Sequence, residues 1–331
     1  MKAHIFVAVV ALGVLAVRPA AWQPAGTREA HCAAAKAAAG TEYLSLYNRF
    51  ADICGTSTTV SAAPPQRGGG APPGPREVPA RDTWYHTPAK VFDNLYFIGT
   101  KIHNAWAIQT SEGLIVVDAL FDYAVKDSVV EGVRQLGLNP ATMKYVIVSH
   151  GHGDHHGGAK YLQDEFGPRV VMGGPDWDLV AKNSRDPAPR RDIAGTDGQK
   201  ITLGDTTVTL YSTPGHTAGT LSLIIPVRDE GRQHLIATWG GTALSRSTPA
   251  SAVKEYVEAA VRYRALLAKL GVEAILSNHS AYDSAPAKIQ ALAVRRQGER
   301  HPFLTGPDSV RRYLTVVEEA GRAALAASAG R

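Results

Sequence analysis

Ten consecutive residues, Ser149-His150-Gly151-His152-Gly153-Asp154-His155-His156-Gly157-Gly158, place four of the chain's twelve histidines around one aspartate. Imidazole nitrogen and carboxylate oxygen are the ligands zinc prefers after thiolate. Crowding them onto one short loop is costly unless a cation compensates. The spacing His-x-His-x-Asp-His is also more specific than a generic histidine-rich tract. His150 and His152 alternate along the end of an extended segment, so both can approach one ion. His216, in Ser212-Thr213-Pro214-Gly215-His216-Thr217, supplies a third nitrogen. Three histidines with an open fourth position are the layout of a catalytic zinc whose last ligand is water. Asp154 and His155 lie on the adjoining turn and can face a second ion, with His279 completing it. Two cations sharing one bridging water would lower its pKa towards neutrality and make a strong nucleophile. Two Zn2+ ions per chain are the expectation.

Such residues need rigid elements to aim them. Apolar runs predict strands over residues 91–99, 104–109, 114–118, 144–149, 170–172, 221–226, 234–238 and 274–277. A hairpin over 201–211 should turn at Gly204-Asp205. Helical periodicity and stop signals predict helices over 29–39, 42–53, 122–136, 158–166, 251–270 and 309–327, with Thr41 and Asp308 as caps. Each candidate ligand then follows a strand on a loop, where α/β proteins place ligand sites. His150 to His155, His216 and His279 are expected to converge on one edge of a sheet.

Residues 60–81 are rich in Pro and Gly and read as a linker without a core of its own. The organisation expected is a signal peptide over 1–21, an extension with short helices and that linker over 22–82, and a zinc hydrolase domain over 83–331. The signal rests on Lys2 and His4 ahead of an apolar run over 5–17, too short to span a bilayer, with small residues around Ala16 and Ala21. An uncleaved anchor is the alternative. A periplasmic or secreted protein follows, with no stable membrane association after cleavage. Cys32 and Cys54 can pair in such a compartment or remain separate thiols, and both readings stay open. An apolar content of 44% and a charged content of 20% are globular values. The net charge of +5 is scattered, so nucleic acid is not an expected partner. Nothing in the pattern bears on oligomeric state.

The run from His150 to Gly158, together with the turn Pro214-Gly215-His216-Thr217, resembles the metallo-β-lactamase superfamily over roughly residues 91–284. Leu114-Ile115-Val116-Val117-Asp118 matches the place where that fold sets an aspartate behind the metals. The resemblance implies an α/β fold, an αβ/βα four-layer sandwich, here with an N-terminal extension and a C-terminal helix. Glyoxalase II-like, lactonase-like and tRNA-processing members carry an aspartate that bridges both metals. The corresponding segment here, residues 234–245, has no acid, and it lacks the cysteine ligand of the commonest β-lactamases. What remains is most similar to class B subclass-three enzymes, whose first zinc site is all histidine.

That similarity implies a binuclear zinc hydrolase that opens the β-lactam amide bond with a metal-bridging hydroxide. A zinc-dependent lactonase or thioesterase-type hydrolase is the alternative, and a silent metal-binding module a third. The complete ligand set argues against silence. A small molecule, β-lactam or another cyclic amide or ester, is the expected partner. In the lactamase reading Asp154 is the catalytic side chain and Asp118 orients a ligand histidine. Thr242 and Ser245 either contact a substrate carboxylate or pack. His156 is expected to fill space, His103 to lie at the surface or touch substrate, and His4, His31, His86, His234 and His301 to be incidental. Trp106 and Trp239 either line a pocket or sit in the core.

Overall fold

The structure is a computed structural model that describes residues 26–55, 77–182 and 185–329. The signal segment and most of the Pro/Gly-rich stretch lie outside the described residues. Among the described residues, no helix is long and apolar enough to cross a membrane.

Two sheets face each other. The first runs β1 (Ala89–Lys90), β2 (Leu95–Phe97), β3 (Trp106–Thr110), β4 (Gly113–Val117), β5 (Met143–Ile147), β6 (Arg169–Gly173) and β7 (Ile193–Gly195), in that spatial order. It is antiparallel as far as β4 and parallel from β4 to β7. The second holds β8 (Lys200–Leu203), β9 (Thr206–Ser212), β10 (Leu221–Asp229), β11 (Arg232–Trp239) and β12 (Ala274–Ser277), with β12 parallel to β11 and the other pairs antiparallel.

Strand alternation builds the layers. Ile115 and Val117 point between the sheets to meet Val208, Leu221, Leu223 and Ile236. Val116, between them in sequence, joins the opposite core with Val125, Val133, Leu162 and Trp177. A side-chain period of two forces this division, because successive residues of a strand face opposite sides. On the outer face of the first sheet lie a π-helical turn (Val125–Val130) leading into Glu131–Gln135, and the helices Ala159–Phe166 and Gly174–Lys182. The helices Arg28–Ala39, Ala250–Leu270 and Pro307–Ala329 cover the second sheet around Ala237, Trp239 and Ile275. This is the αβ/βα sandwich that the resemblance implies. Trp106 and Trp239 are core residues, each no more than 2% exposed.

Several elements differ from expectation. Residues 42–53 form two short helices, Leu44–Asn48 and Ala51–Cys54; neither has a side-chain cap, and Thr41 caps nothing. Residues 91–99 yield only β2 within a tight hairpin, because Val91 and Phe92 both donate back to the Leu95 carbonyl. Asp308 lies inside the first turn of the last helix, bonded to Arg311. Two helices, Gly174–Lys182 and Ala285–Ala293, and strand β7 had no periodic signal that singled them out.

The N-terminal helices share one core with the last two long helices. Cys32, Ala35, Leu46, Phe50 and Ile53 are buried with Tyr256, Tyr263, Tyr313 and Val317. Polar ties reinforce this: Tyr43 Oη and Ser309 Oγ are 2.6 Å apart, His31 Nδ1 lies 2.7 Å from Glu319 Oε2, and Arg312 bonds Glu42. Cys32 and Cys54 are joined as a disulfide, with their α-carbons 5.5 Å apart. Closing a loop of this size contributes about 3 kcal/mol, chiefly by restricting the unfolded chain. Reduction, or Cys32→Ser with Cys54→Ser, should therefore lower stability by about 3 kcal/mol in denaturant titration. An unchanged midpoint would show that the bridge adds nothing to packing already present.

Candidate metal centre

The site begins where β4 and β5 end side by side. Asp118 follows β4 in a left-handed conformation, φ 62°, and Leu120 repeats it at 61°. Left-handed backbone at two non-glycine residues within three positions is strain held in place by its surroundings. Here the holding contacts are explicit. Asp118 Oδ1 accepts from Ser149 N at 2.7 Å, and Oδ2 accepts from Ser149 Oγ at 2.9 Å and His155 Nδ1 at 2.8 Å. The loop then folds back tightly, since Ala119 N donates to the His155 carbonyl and Gly158 N to that of Leu120. A Cβ on Gly158 would come within 2.3 Å of the Ala119 carbonyl oxygen, which explains the glycine there.

A second buried carboxylate joins this loop to the one bearing His216. Asp176 Oδ2 accepts from Gly151 N and from Thr217 Oγ1, each at 2.7 Å, while Oδ1 accepts from Gly219 N at 2.9 Å. With its backbone fixed, His216 Nδ1 donates to the Ala243 carbonyl at 2.6 Å, and His150 Nδ1 donates to the Gly240 carbonyl at 2.8 Å. These bonds select the tautomer that leaves each Nε2 as a lone pair. Asn278 Nδ2 donates to the same Gly240 carbonyl at 2.7 Å.

The result is three overlapping groups of donors. His216 Nε2 lies 3.1 Å from His150 Nε2 and 3.1 Å from His152 Nδ1. Nitrogen ligands tetrahedrally placed around zinc, at about 2.0–2.1 Å from it, are about 3.3 Å from one another. Beside them Asp154 Oδ2 stands 3.1 Å from His155 Nε2, 3.4 Å from His103 Nε2 and 3.5 Å from His279 Nε2. The groups His150/His152/His216, His150/Asp154/His155 and His103/Asp154/His279 each have their ligand atoms within 4.8 Å of one another.

The electrostatics suit a cation. Burial, reinforced by His152, pushes His216 down to about 3. Burial and the neighbouring imidazoles lower His150 and His279 well below the ordinary histidine range. These three are neutral nitrogen donors at physiological pH. Burial would lower His155 too, but Asp154 and Asp118 outweigh it and hold the ring up at about 10. Burial would raise Asp154, yet His155 and the other imidazoles keep it well below the usual carboxylate range. His155 Nε2, fully buried, finds no partner in hydrogen-bond geometry. An orphaned nitrogen beside an ionised carboxylate, within a nitrogen and oxygen donor set that lacks thiolate, fits zinc.

The structure thus brings His150, His152 and His216 into one group, Asp154 and His155 with His150 into a second, and Asp154 and His279 with His103 into a third, with Asp118 behind His155. Thr242 is placed differently from a substrate contact. It is 2% exposed with its hydroxyl enclosed, because its carbonyl is drawn in by Tyr256 Oη at 2.7 Å. Ser245 is exposed and lines a depression of about 330 Å³ with His216, Thr217, Thr248 and Glu255. His156 is buried and belongs to none of the donor groups. Sequence reasoning read His103 as a surface or substrate-contacting residue and not as a ligand, and it missed Asp176 and Asn278. His103 precedes a strand instead of following one, so a search for ligands after strands passes over it. Asp176 carries no motif, whereas Asn278 could have been found from its place beside His279.

Residues 98–229 match the family described as Metallo-beta-lactamase superfamily, a span that includes His150 to His216 but not His279. Among solved structures the chain is similar to a subclass B3 metallo-β-lactamase of Bradyrhizobium japonicum, with 28% identity and a TM-score of 0.62 over 71% of this chain and 92% of that one. It shares the fold of the native metallo-β-lactamase from Legionella gormanii, with 20% identity and a TM-score of 0.62 over 70% of this chain and 92% of that one. Among curated proteins, a hydroxyacylglutathione hydrolase of Acidiphilium cryptum is 36% identical over 103 residues, 30% of this chain and 37% of the relative. The chain spans about a third of the length of the curated relatives it matches.

Because Asp118 fixes both the His155 ring and the loop start, Asp118→Asn should weaken zinc binding about 10–100-fold, the usual effect of losing a ligand's hydrogen-bond partner. Competition against a chelating dye measures this, and unchanged affinity would show that the loop needs no such support.

Proposed function

We propose that this chain, which carries a metallo-β-lactamase superfamily domain, is a binuclear zinc hydrolase that opens the β-lactam amide bond. The observation that carries this reading is the all-nitrogen group His150/His152/His216 beside two groups that share the Asp154 carboxylate, with no acid contributed by residues 234–245. His150, His152 and His216 would hold one ion; Asp154, His155 and His279 would hold the other. When bound, such ions supply charge stabilisation for a developing oxyanion and acidify a water to near neutrality.

The chain's own residues supply the rest. Asp154 Oδ2 belongs to a group with His150 and to one with His279, so it stands where an attacking water must pass. Its role is to hold that water's proton and return it to the leaving nitrogen as the C–N bond breaks and the C–O bond forms. His155, clamped between Asp118 and Asp154, keeps this carboxylate ionised and oriented. Gly240 lies within the acid-free segment just after β11, and its carbonyl orients His150. Ser245, at the mouth beside His216, is available to a substrate carboxylate.

A second reading, thioester or lactone hydrolysis on the same site, is favoured by the likeness to the hydroxyacylglutathione hydrolase of Acidiphilium cryptum. Export to an oxidising compartment is part of the proposal. It is supported by the apolar run over 5–17 and by the Cys32–Cys54 disulfide.

Turnover of a penicillin, a cephalosporin, a carbapenem, a homoserine lactone and lactoylglutathione, with and without chelator, tests the assignment. β-Lactam cleavage that chelator abolishes and zinc restores is expected. Brisk lactone or thioester cleavage with no β-lactam turnover would sink the first reading in favour of the second. Asp154→Ala should cost about 10²–10⁴-fold in kcat, while His156→Ala should cost far less. Equal losses would refute the ligand assignment.

A further inference from the structure

We propose that His103 is a further protein ligand of the second cation, beside Asp154 and His279. This rests on the two-metal reading above and deepens it.

The first support is geometric. Three imidazole Nε2 atoms, from His155, His103 and His279, surround the single oxygen Asp154 Oδ2 at 3.1, 3.4 and 3.5 Å. His103, Asp154 and His279 offer ligand atoms that lie within 4.8 Å of one another, whereas His155 groups with Asp154 and His150. His103 satisfies the same mutual-distance condition with Asp154 and His279 that His150 and His216 satisfy with His152.

The second support is construction. The loop carrying His103 is stitched to the loop carrying His279. His103 N donates to Thr100 Oγ1 at 2.8 Å, and Thr100 N returns a bond to the His103 carbonyl at 2.7 Å. Across the gap, Asn104 N donates to the Asn278 carbonyl at 3.0 Å and Ser280 N to the Ile102 carbonyl at 2.9 Å. Asn104 Nδ2 donates to Asp283 Oδ2 at 3.0 Å, and Ser280 Oγ to Asn104 Oδ1 at 2.7 Å. The His103 ring packs edge-on against Phe121, with centroids 5.2 Å apart, and its side chain is 13% exposed. A surface histidine free to rotate would have none of this scaffolding. A nitrogen donor preset beside three others costs little ordering entropy to recruit.

The test is a titration of the full metal-free chain with Co2+, read by its visible spectrum, and with Zn2+ in competition with a chelating dye. The wild type should take two equivalents. His103→Ala and His103→Gln should each weaken the second equivalent at least tenfold and alter its cobalt spectrum, leaving the first unchanged. Gln keeps a donor for Asp154 but offers no imidazole. Recovery of wild-type affinity in His103→Gln alone would therefore make His103 a hydrogen-bonding residue and overturn ligation. Unchanged affinity and spectrum in both variants would also overturn it, with the two-metal site intact. A wild type that binds one equivalent would overturn the two-metal reading itself.

Discussion

Asp118 ends β4 in a left-handed turn and offers its buried carboxylate to the backbone and hydroxyl of Ser149 and to the ring of His155. The strained backbone costs about 1–3 kcal/mol. Hydrogen bonds to a charged acceptor contribute about 1.5–3 kcal/mol each, so three of them outweigh that strain. The same bonds set the start of the histidine loop and the orientation of one of its rings. A single carboxylate thereby converts the meeting of two parallel strands into a fixed base for the site. Asp176 repeats the device one loop further on, binding Gly151, Thr217 and Gly219.

Once the backbones are fixed, the chemistry follows from electrostatics in a buried place. Neutral imidazoles gathered within about 3 Å repel protons from one another, and burial adds to this. His155 is biased the other way, by carboxylates on both of its nitrogens. The centre is thus a set of bases awaiting positive charge, with one anion at its middle. Such an arrangement is unfavourable for its own sake and is explained by what it binds.

Much of this could be read from the chain. The spacing of His150, His152, Asp154 and His155 and the turn around His216 carried most of the donors, and the apolar run before Asp118 marked the strand that ends at the site. What could not be read depended on meetings distant in sequence. His103 sits before β3 and acquires meaning only because β12 delivers His279 beside it. Thr242 looked available because its polarity was visible, whereas the Tyr256 hydroxyl that turns its backbone inward lies on another element. Residues 42–53 have good helix formers, but without a capping side chain the segment breaks. Whether Cys32 and Cys54 met was undecidable until the first helix had been packed against the last.

That packing has a consequence for how the protein comes into being. The ring of His31 meets Glu319 across 288 residues of sequence, and the last helix shares a core with Tyr256, whose hydroxyl holds the strand of backbone carrying the Gly240 and Ala243 carbonyls. The histidine tautomers are therefore downstream of an event that involves both ends of the chain. Loop-closure entropy makes contacts of such separation late to form. A partly synthesised chain would own the whole His150 to His155 motif and still lack a site. Metal capture thereby reports completion of the fold, and ions met on the way would find only scattered, unaligned ligands.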